Sequence, residues 1–220
     1  MPSRSLAALL TRRRGSHIDN LILRTFGAVA LLGILWSLLD PMAAALAPFV
    51  LYTMWANGPH SSVLQGAYEP VLLVYGQLFS PLLLAALGTA ATVFIEWANY
   101  HIYARARDTR TVGRLTAGRL VQRVTALFAR RPFLALVLSA LGLVPYGVTR
   151  CLSVLSRYPI ARHLAATGIG RFPRLWVIAA LGVSLSLPPS VLIAVVLLSF
   201  ALAAALWFVG RRASLVSQSA

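Results

Sequence analysis

Lysine is absent from this 220-residue chain, so all 20 basic side chains are arginines, which fits a coding bias toward arginine. Acids are scarce as well: five Asp and Glu in total. Charged residues make up 11% of the chain and hydrophobic ones 59%, with a mean hydropathy of +0.77. A soluble domain of this size covers itself with about 25% charged residues, so the composition excludes an ordinary soluble globular fold. The single cysteine, Cys151, excludes an internal disulfide and any multi-cysteine metal site. The four histidines (His17, His60, His101, His163) have no ligand spacing, which leaves no expectation of a metal or cofactor. Gly-x-Ser-x-Gly and phosphate-loop motifs are missing too, and Ser153 and Ser156 have no base beside them in sequence, so the chain is not expected to be an enzyme.

What is present is a series of apolar stretches separated by arginine. A net charge of +15 invites a nucleic-acid reading, but in a hydrophobic chain arginine marks cytoplasmic loops. No aromatic residue interleaves between Arg107 and Ala126, and no nucleic-acid partner is expected. Residues 1–20 read as a basic cytoplasmic tail with a short interfacial helix near 6–10. Residues 21–39 are about long enough to cross the hydrocarbon and read as a retained anchor rather than a cleaved signal. Residues 41–56 contain Pro48 and are too short for a secure crossing. A dipping segment at 70–79 and a full span at 82–103 follow. Glu96 lies inside that span, with Asn99 and Tyr100 at i+3 and i+4 on the same face.

The 105–131 stretch holds eight arginines and one acid, Asp108, and its leucines and valines approach a helical period. Part of it reads as a surface helix on anionic lipid. Residues 175–209 carry no charge and divide at Pro188-Pro189 into two short spans, and 211–220 form a second cytoplasmic tail. Placing every arginine inside requires that two elements, around 41–79 and 132–163, enter and leave on the same face. The chain is therefore expected to be an all-α integral membrane protein, polytopic, with two opposed re-entrant hairpins and a membrane domain over 21–210. Its expected place is a bacterial inner membrane, with both termini cytoplasmic.

The most irregular part is 132–182. Eighteen uncharged residues, 132–149, are interrupted by Gly142, Pro145 and Gly147, then come Arg150, Arg157, Arg162 and His163. Ionisable residues at membrane depth cost at least about 2.5–3.5 kcal/mol each, so they need partners or water. Two acids, Glu69 and Glu96, face three arginines, which makes a Glu–Arg pair across the two broken elements the economical arrangement. Such a pair either fixes packing or forms part of a wet cavity in which Arg150, Arg157 and Arg162 hold a phosphate and Glu69 and Glu96 titrate. Arg171 and Arg174 are expected at the inner interface, flanking a helix start at Pro173, and His163 is also expected to be interfacial.

The series Pro145-Tyr146-Gly147, Ser156-Arg157-Tyr158-Pro159, Leu164-Ala165-Ala166-Thr167-Gly168-Ile169-Gly170-Arg171-Phe172-Pro173-Arg174 and Ala180-Leu181-Gly182 resembles the second half of the VTT superfamily, the DedA and SNARE-associated Golgi membrane proteins. Glu69 before a Pro-broken segment, then Gly88, Glu96, Tyr100 and Arg105, is similar to its first half. The resemblance covers about 69–182. It implies movement of phospholipid or a polyprenyl-phosphate carrier between leaflets, with membrane lipids as partners and Asn99, Tyr100, Pro145, Gly147, Gly170 and Pro173 as supporting residues. Self-association stays open. A proton-coupled solute transporter and a scaffold acting through the 105–131 loop are the alternatives.

Overall fold

The computed structural model describes residues 6–58, 65–107 and 118–185, with a few positions between 188 and 201. Among the described residues the regular structure is entirely helical, in eight helices. The chain divides into two compact units, 1–48 and 49–220.

The first unit contains α1 (Leu6–Leu39) and the opening turns of α2 (Pro41–Ala56). The expected interfacial helix and first span are one continuous helix of 34 residues. Between residues 10 and 21 the sequence offers only Gly15 as a breaker, and one interior glycine costs about 1 kcal/mol, too little to end a helix. The stop comes at Asp40, which the following proline disfavours in helical geometry. Asp40 then starts α2: its Oδ1 accepts from the Met42 N–H at 2.9 Å, with Pro41 at the first helical position.

The second unit holds the rest of α2, α3 (Gln65–Leu78), α4 (Pro81–Arg107), α5 (Arg119–Arg130), α6 (Pro132–Ala140), α7 (Tyr146–Leu155) and α8 (Ile160–Leu185). The dipping segment is a regular helix, α3, with Pro70 inside it. The expected span at 82–103 is contained in α4. Of the arginine-rich stretch, 105–107 end α4 and 119–130 form α5: Phe128 is buried with Leu136, Leu152 and Ala166, while Arg123, Leu127 and Arg130 are exposed. Its remaining part, 108–117, lies outside the described residues, as do most of the expected last span (191–209) and the 211–220 tail.

The main correction concerns Pro173. It does not start a helix; it sits inside α8, which runs unbroken for 26 residues. An interior proline forfeits one backbone hydrogen bond and costs about 3 kcal/mol in an isolated helix. Here α8 is the central element, packed along α4, α3 and α6, and those contacts keep it helical through the proline. Glycines set how close it comes. A Cβ at Gly76 of α3 would run into the Ala179 backbone of α8, and one at Gly182 of α8 into the Leu73 backbone of α3. Small residues that let backbones touch are the usual currency of helix association in lipid. Gly170 does the same toward α6, where a Cβ would lie 2.5 Å from the Val137 carbonyl oxygen.

α6 and α7 form a helical hairpin, closed by residues 141–145. Gly142 has φ +98°, the left-handed geometry that glycine adopts without strain, and Pro145 caps the start of α7. α4 and α8 are each long and apolar enough to cross a membrane.

Candidate functional site

Three helices of the second unit each carry a polar stripe within a largely apolar buried face, and their exposed faces are mainly apolar. On α4, Thr92, Glu96 and Asn99 are buried at i, i+4 and i+7, while Leu82 and Ile102 are exposed. On α7 the buried face is Tyr146, Thr149, Arg150 and Ser153, with Val148 and Cys151 exposed. On α8, His163, Thr167 and Arg171 are buried, whereas Ile169, Trp176, Val177 and Leu181 face outward. These spacings bring one polar stripe from each helix to a common axis.

Glu96 is at the centre, with no exposed surface. Its Oε2 accepts from Arg150 Nε at 3.0 Å, and its Oε1 pairs with Arg150 Nη2. The pair is bidentate and joins α4 to α7, so its acid comes from the continuous 81–107 helix and not from a broken element. Asn99 Nδ2 donates to Glu96 Oε1 at 3.1 Å from the next turn. His163, expected at an interface, is instead fully buried on the far side of the carboxylate, its Nε2 3.5 Å from Glu96 Oε2. Its Nδ1 shares a 2.9 Å hydrogen bond with Ser153 Oγ. The histidine that Ser153 lacks in sequence is thus supplied by the fold. Serine, histidine and carboxylate stand in the order of a hydrolytic triad, but Ser153 is fully buried and Glu96 is committed to Arg150. The three side chains form a contiguous buried polar row, Glu96, His163 and Ser153, in which the His163–Glu96 approach is a 3.5 Å ion-pair contact.

Asn57 is a site residue that sequence reasoning missed. It follows the last residue of α2, where helix carbonyls have no partner within the helix. Its own carbonyl oxygen accepts from Asn99 Nδ2 at 2.8 Å and from Arg150 Nη2 at 3.3 Å. Its amide donates to the Thr53 carbonyl at 2.8 Å, closing α2, and its Oδ1 accepts from Arg171 Nη2 at 3.2 Å. The only available signal was Asn-Gly after an apolar run, which marks a helix end and says nothing about charge.

Arg171 and Arg174 are not simply interfacial. Arg171 is buried, and its guanidinium carbon lies 4.9 Å from the centre of the Tyr146 ring; Arg150 lies 5.2 Å from the same ring. Arg174 pairs with Glu69 in a half-exposed ion pair and lies against the hairpin turn at Gly142. Between these groups is a cavity of about 270 Å³, bounded by Asn57, Tyr68, Glu69, Ser139, residues 142–146, Arg171 and Arg174. Tyr146 separates it from the Glu96 centre and bonds Thr167 through their hydroxyls at 2.7 Å.

The other candidates fall elsewhere. Arg157 is exposed at φ +54°, in the turn after α7, and Arg162 is exposed on α8. Neither joins Arg150: Arg157 occupies the left-handed position of a helix C-cap, with the Tyr158 N–H reaching the Ser153 carbonyl at 2.9 Å. Tyr100 donates to the Tyr158 carbonyl at 2.6 Å and packs on His163, so it holds that same turn against α4. Arg107 Nη1 caps the C-terminal end of α7 at the Val154 carbonyl, 3.0 Å away. Gly147 is exposed with open space around it. Among the described residues no group of His, Cys, Asp and Glu gathers as metal ligands. Comparison with models of known protein families, with curated proteins and with solved structures gives no match for the chain.

Proposed function

We propose that this chain is a polytopic inner-membrane protein of a bacterium that moves a phospholipid or a polyprenyl-phosphate lipid between leaflets. The observation that carries the reading is a buried Glu–Arg–His cluster shared by α4, α7 and α8, whose exposed faces are mainly aliphatic and aromatic. Intramembrane charges face the interior of a bundle and mark substrate or proton paths. Two helices of membrane length support the polytopic placement. α6 and α7, with 9 and 10 residues, rise only about 14 and 15 Å each, half the hydrocarbon thickness, as a re-entrant hairpin requires. The VTT resemblance supplies the substrate class, and the orientation with both termini inside follows from the arginine distribution.

In this reading Arg150 is not the resting phosphate ligand, because Glu96 already occupies it. A proton reaching Glu96 through His163 cancels the attraction that holds α7 against α4, and Arg150 is released toward the Tyr146 side of the hairpin. The lipid head group follows the polar stripe while its chains stay in the bilayer.

The test is lipid exchange in proteoliposomes, following reduction of a fluorescent phospholipid by an impermeant reductant. Wild type should lose the roughly half of the signal that the inner leaflet protects in empty vesicles, in keeping with two accessible leaflets. Glu96→Gln and Arg150→Ala should restore that protection. Protection equal to empty vesicles in the wild type, with both a phospholipid and a polyprenyl-phosphate probe, would refute lipid movement.

A further inference from the structure

The charges around the cavity do not balance. Arg150 is neutralised by Glu96 and Arg174 by Glu69, whereas Arg171, only 5% exposed, has no carboxylate among the described residues. Its partners are the Asn57 amide oxygen and the Tyr146 ring face, and its Nε is buried with no hydrogen-bond acceptor. A buried guanidinium without an anion is among the costliest groups a fold can keep. One that lines a cavity of about 270 Å³ is best explained by an anion that enters it.

We infer that this cavity is an oxyanion site, with Arg171 as its principal ligand, and that it takes a singly charged phosphodiester. The excess is one positive charge, so a monoanion balances it and a dianion overshoots. The planar guanidinium of Arg171 suits phosphate oxygens, and with Nη2 on Asn57 and Nε without an acceptor it keeps unused donor capacity. The rim gives the ligand its other half: Leu143 and Val144, at the tip of the α6–α7 hairpin, are 73% and 41% exposed. A charged floor beneath an apolar lip fits an amphiphile whose phosphate enters while its chains lie over the tip. Only the lipid source of the phosphate rests on the function proposed above; anion binding itself requires no transport.

The experiment uses the full chain in a neutral maltoside, unfolded thermally and followed by tryptophan fluorescence. Phosphatidylglycerol and phosphatidylcholine are titrated into the micelles in separate arms, and diethyl phosphate, a soluble monoanionic diester, in a third. A ligand that binds only the folded protein raises its unfolding temperature. Phosphatidylglycerol should do so saturably, and phosphatidylcholine, whose head group carries its own cation, should not. Diethyl phosphate competing with phosphatidylglycerol assigns recognition to the phosphate alone, and a lipid-only response assigns it to phosphate and chains together; both support the site.

Arg171→Gln should abolish the response while leaving the unliganded protein as stable as wild type or more so, since it removes an unpaired buried charge. Arg171→Lys, which keeps the charge and loses the fork, should weaken binding by about tenfold or more. Arg123→Gln, on the exposed face of α5, should match wild type. The inference is overturned if no anion stabilises the wild type, if Arg171→Gln keeps the response, or if Arg171→Gln is less stable without ligand, which would make the guanidinium structural. Absent lipid exchange with this response intact would remove the transport reading and leave the site standing.

Discussion

Removing one member of the Glu96–Arg150 pair strands a buried charge, whereas removing both does not. Arg150→Met alone should destabilise the protein by about 3–5 kcal/mol, and Glu96→Gln with Arg150→Met should recover most of that loss. Thermal unfolding of the two single variants and the double variant, arranged as a cycle, checks the coupling. At Arg157 the expectation is the reverse. A non-glycine residue at φ +54° bears a left-handed penalty, so Arg157→Gly should stabilise by about 1 kcal/mol without altering lipid exchange. A drop in exchange would return Arg157 to the site. That some Glu–Arg pair forms could be read in the sequence, because acids are so few, but not that Glu96 and Arg150 are its members. Nor could Asn57, His163 and Arg171. Their roles come from contacts spanning 42 residues between Asn99 and Asn57 and 114 between Arg171 and Asn57, and no local pattern encodes those distances.

Local chemistry gave reliable helix positions wherever a breaker met an apolar edge, as at Asp40-Pro41 and Ser80-Pro81. It misled at Pro173, where the usual meaning of an interior proline is overruled by the three helices around α8. The same helices make glycine the sensitive residue type. Gly182→Leu or Gly76→Leu should push α3 from α8 and cost at least about 1–3 kcal/mol in thermal unfolding, the usual cost of overpacking. Gly147→Leu, which meets open space, should cost far less despite sitting in the first turn of α7. Similar losses at the two sites would mean that α8 is not in close contact with α3. Gly142→Ala combines strain with displacement of the Arg174 guanidinium, so it should loosen the cavity rim and weaken anion binding more than it lowers stability.

For the molecule as a whole, the mainly apolar exposed faces of α4, α7 and α8 predict which solvent each surface meets. Cys151, the single thiol, lies on the outward face of α7 beside Val148. In membranes it should react readily with a lipid-soluble maleimide and poorly with a charged one. Fast reaction with the charged reagent would place that face in water and remove the hairpin from the bilayer. With Cys151→Ser as background, a cysteine at exposed Gln122 on α5 should react with the charged reagent from the cytoplasmic side alone. The expectation of membrane residence came from composition, 11% charge being too little to cover a soluble surface, and the structure adds two helices long and apolar enough to cross a membrane. The axis on which the polar stripes meet was not legible there, since it depends on how α4, α7 and α8 rotate about one another. That axis passes through Tyr146, whose ring has a guanidinium near it from each charge centre, and through Asn57, which accepts a hydrogen bond from both arginines. The two centres therefore share ligands, and thermodynamic linkage makes their traffic a single ledger: whatever factor a bound anion at Arg171 imposes on proton uptake at Glu96, the proton must return to the anion. Such a protein would work as an exchanger of free energy between a pH difference and a lipid gradient, with Asn57 as its gear.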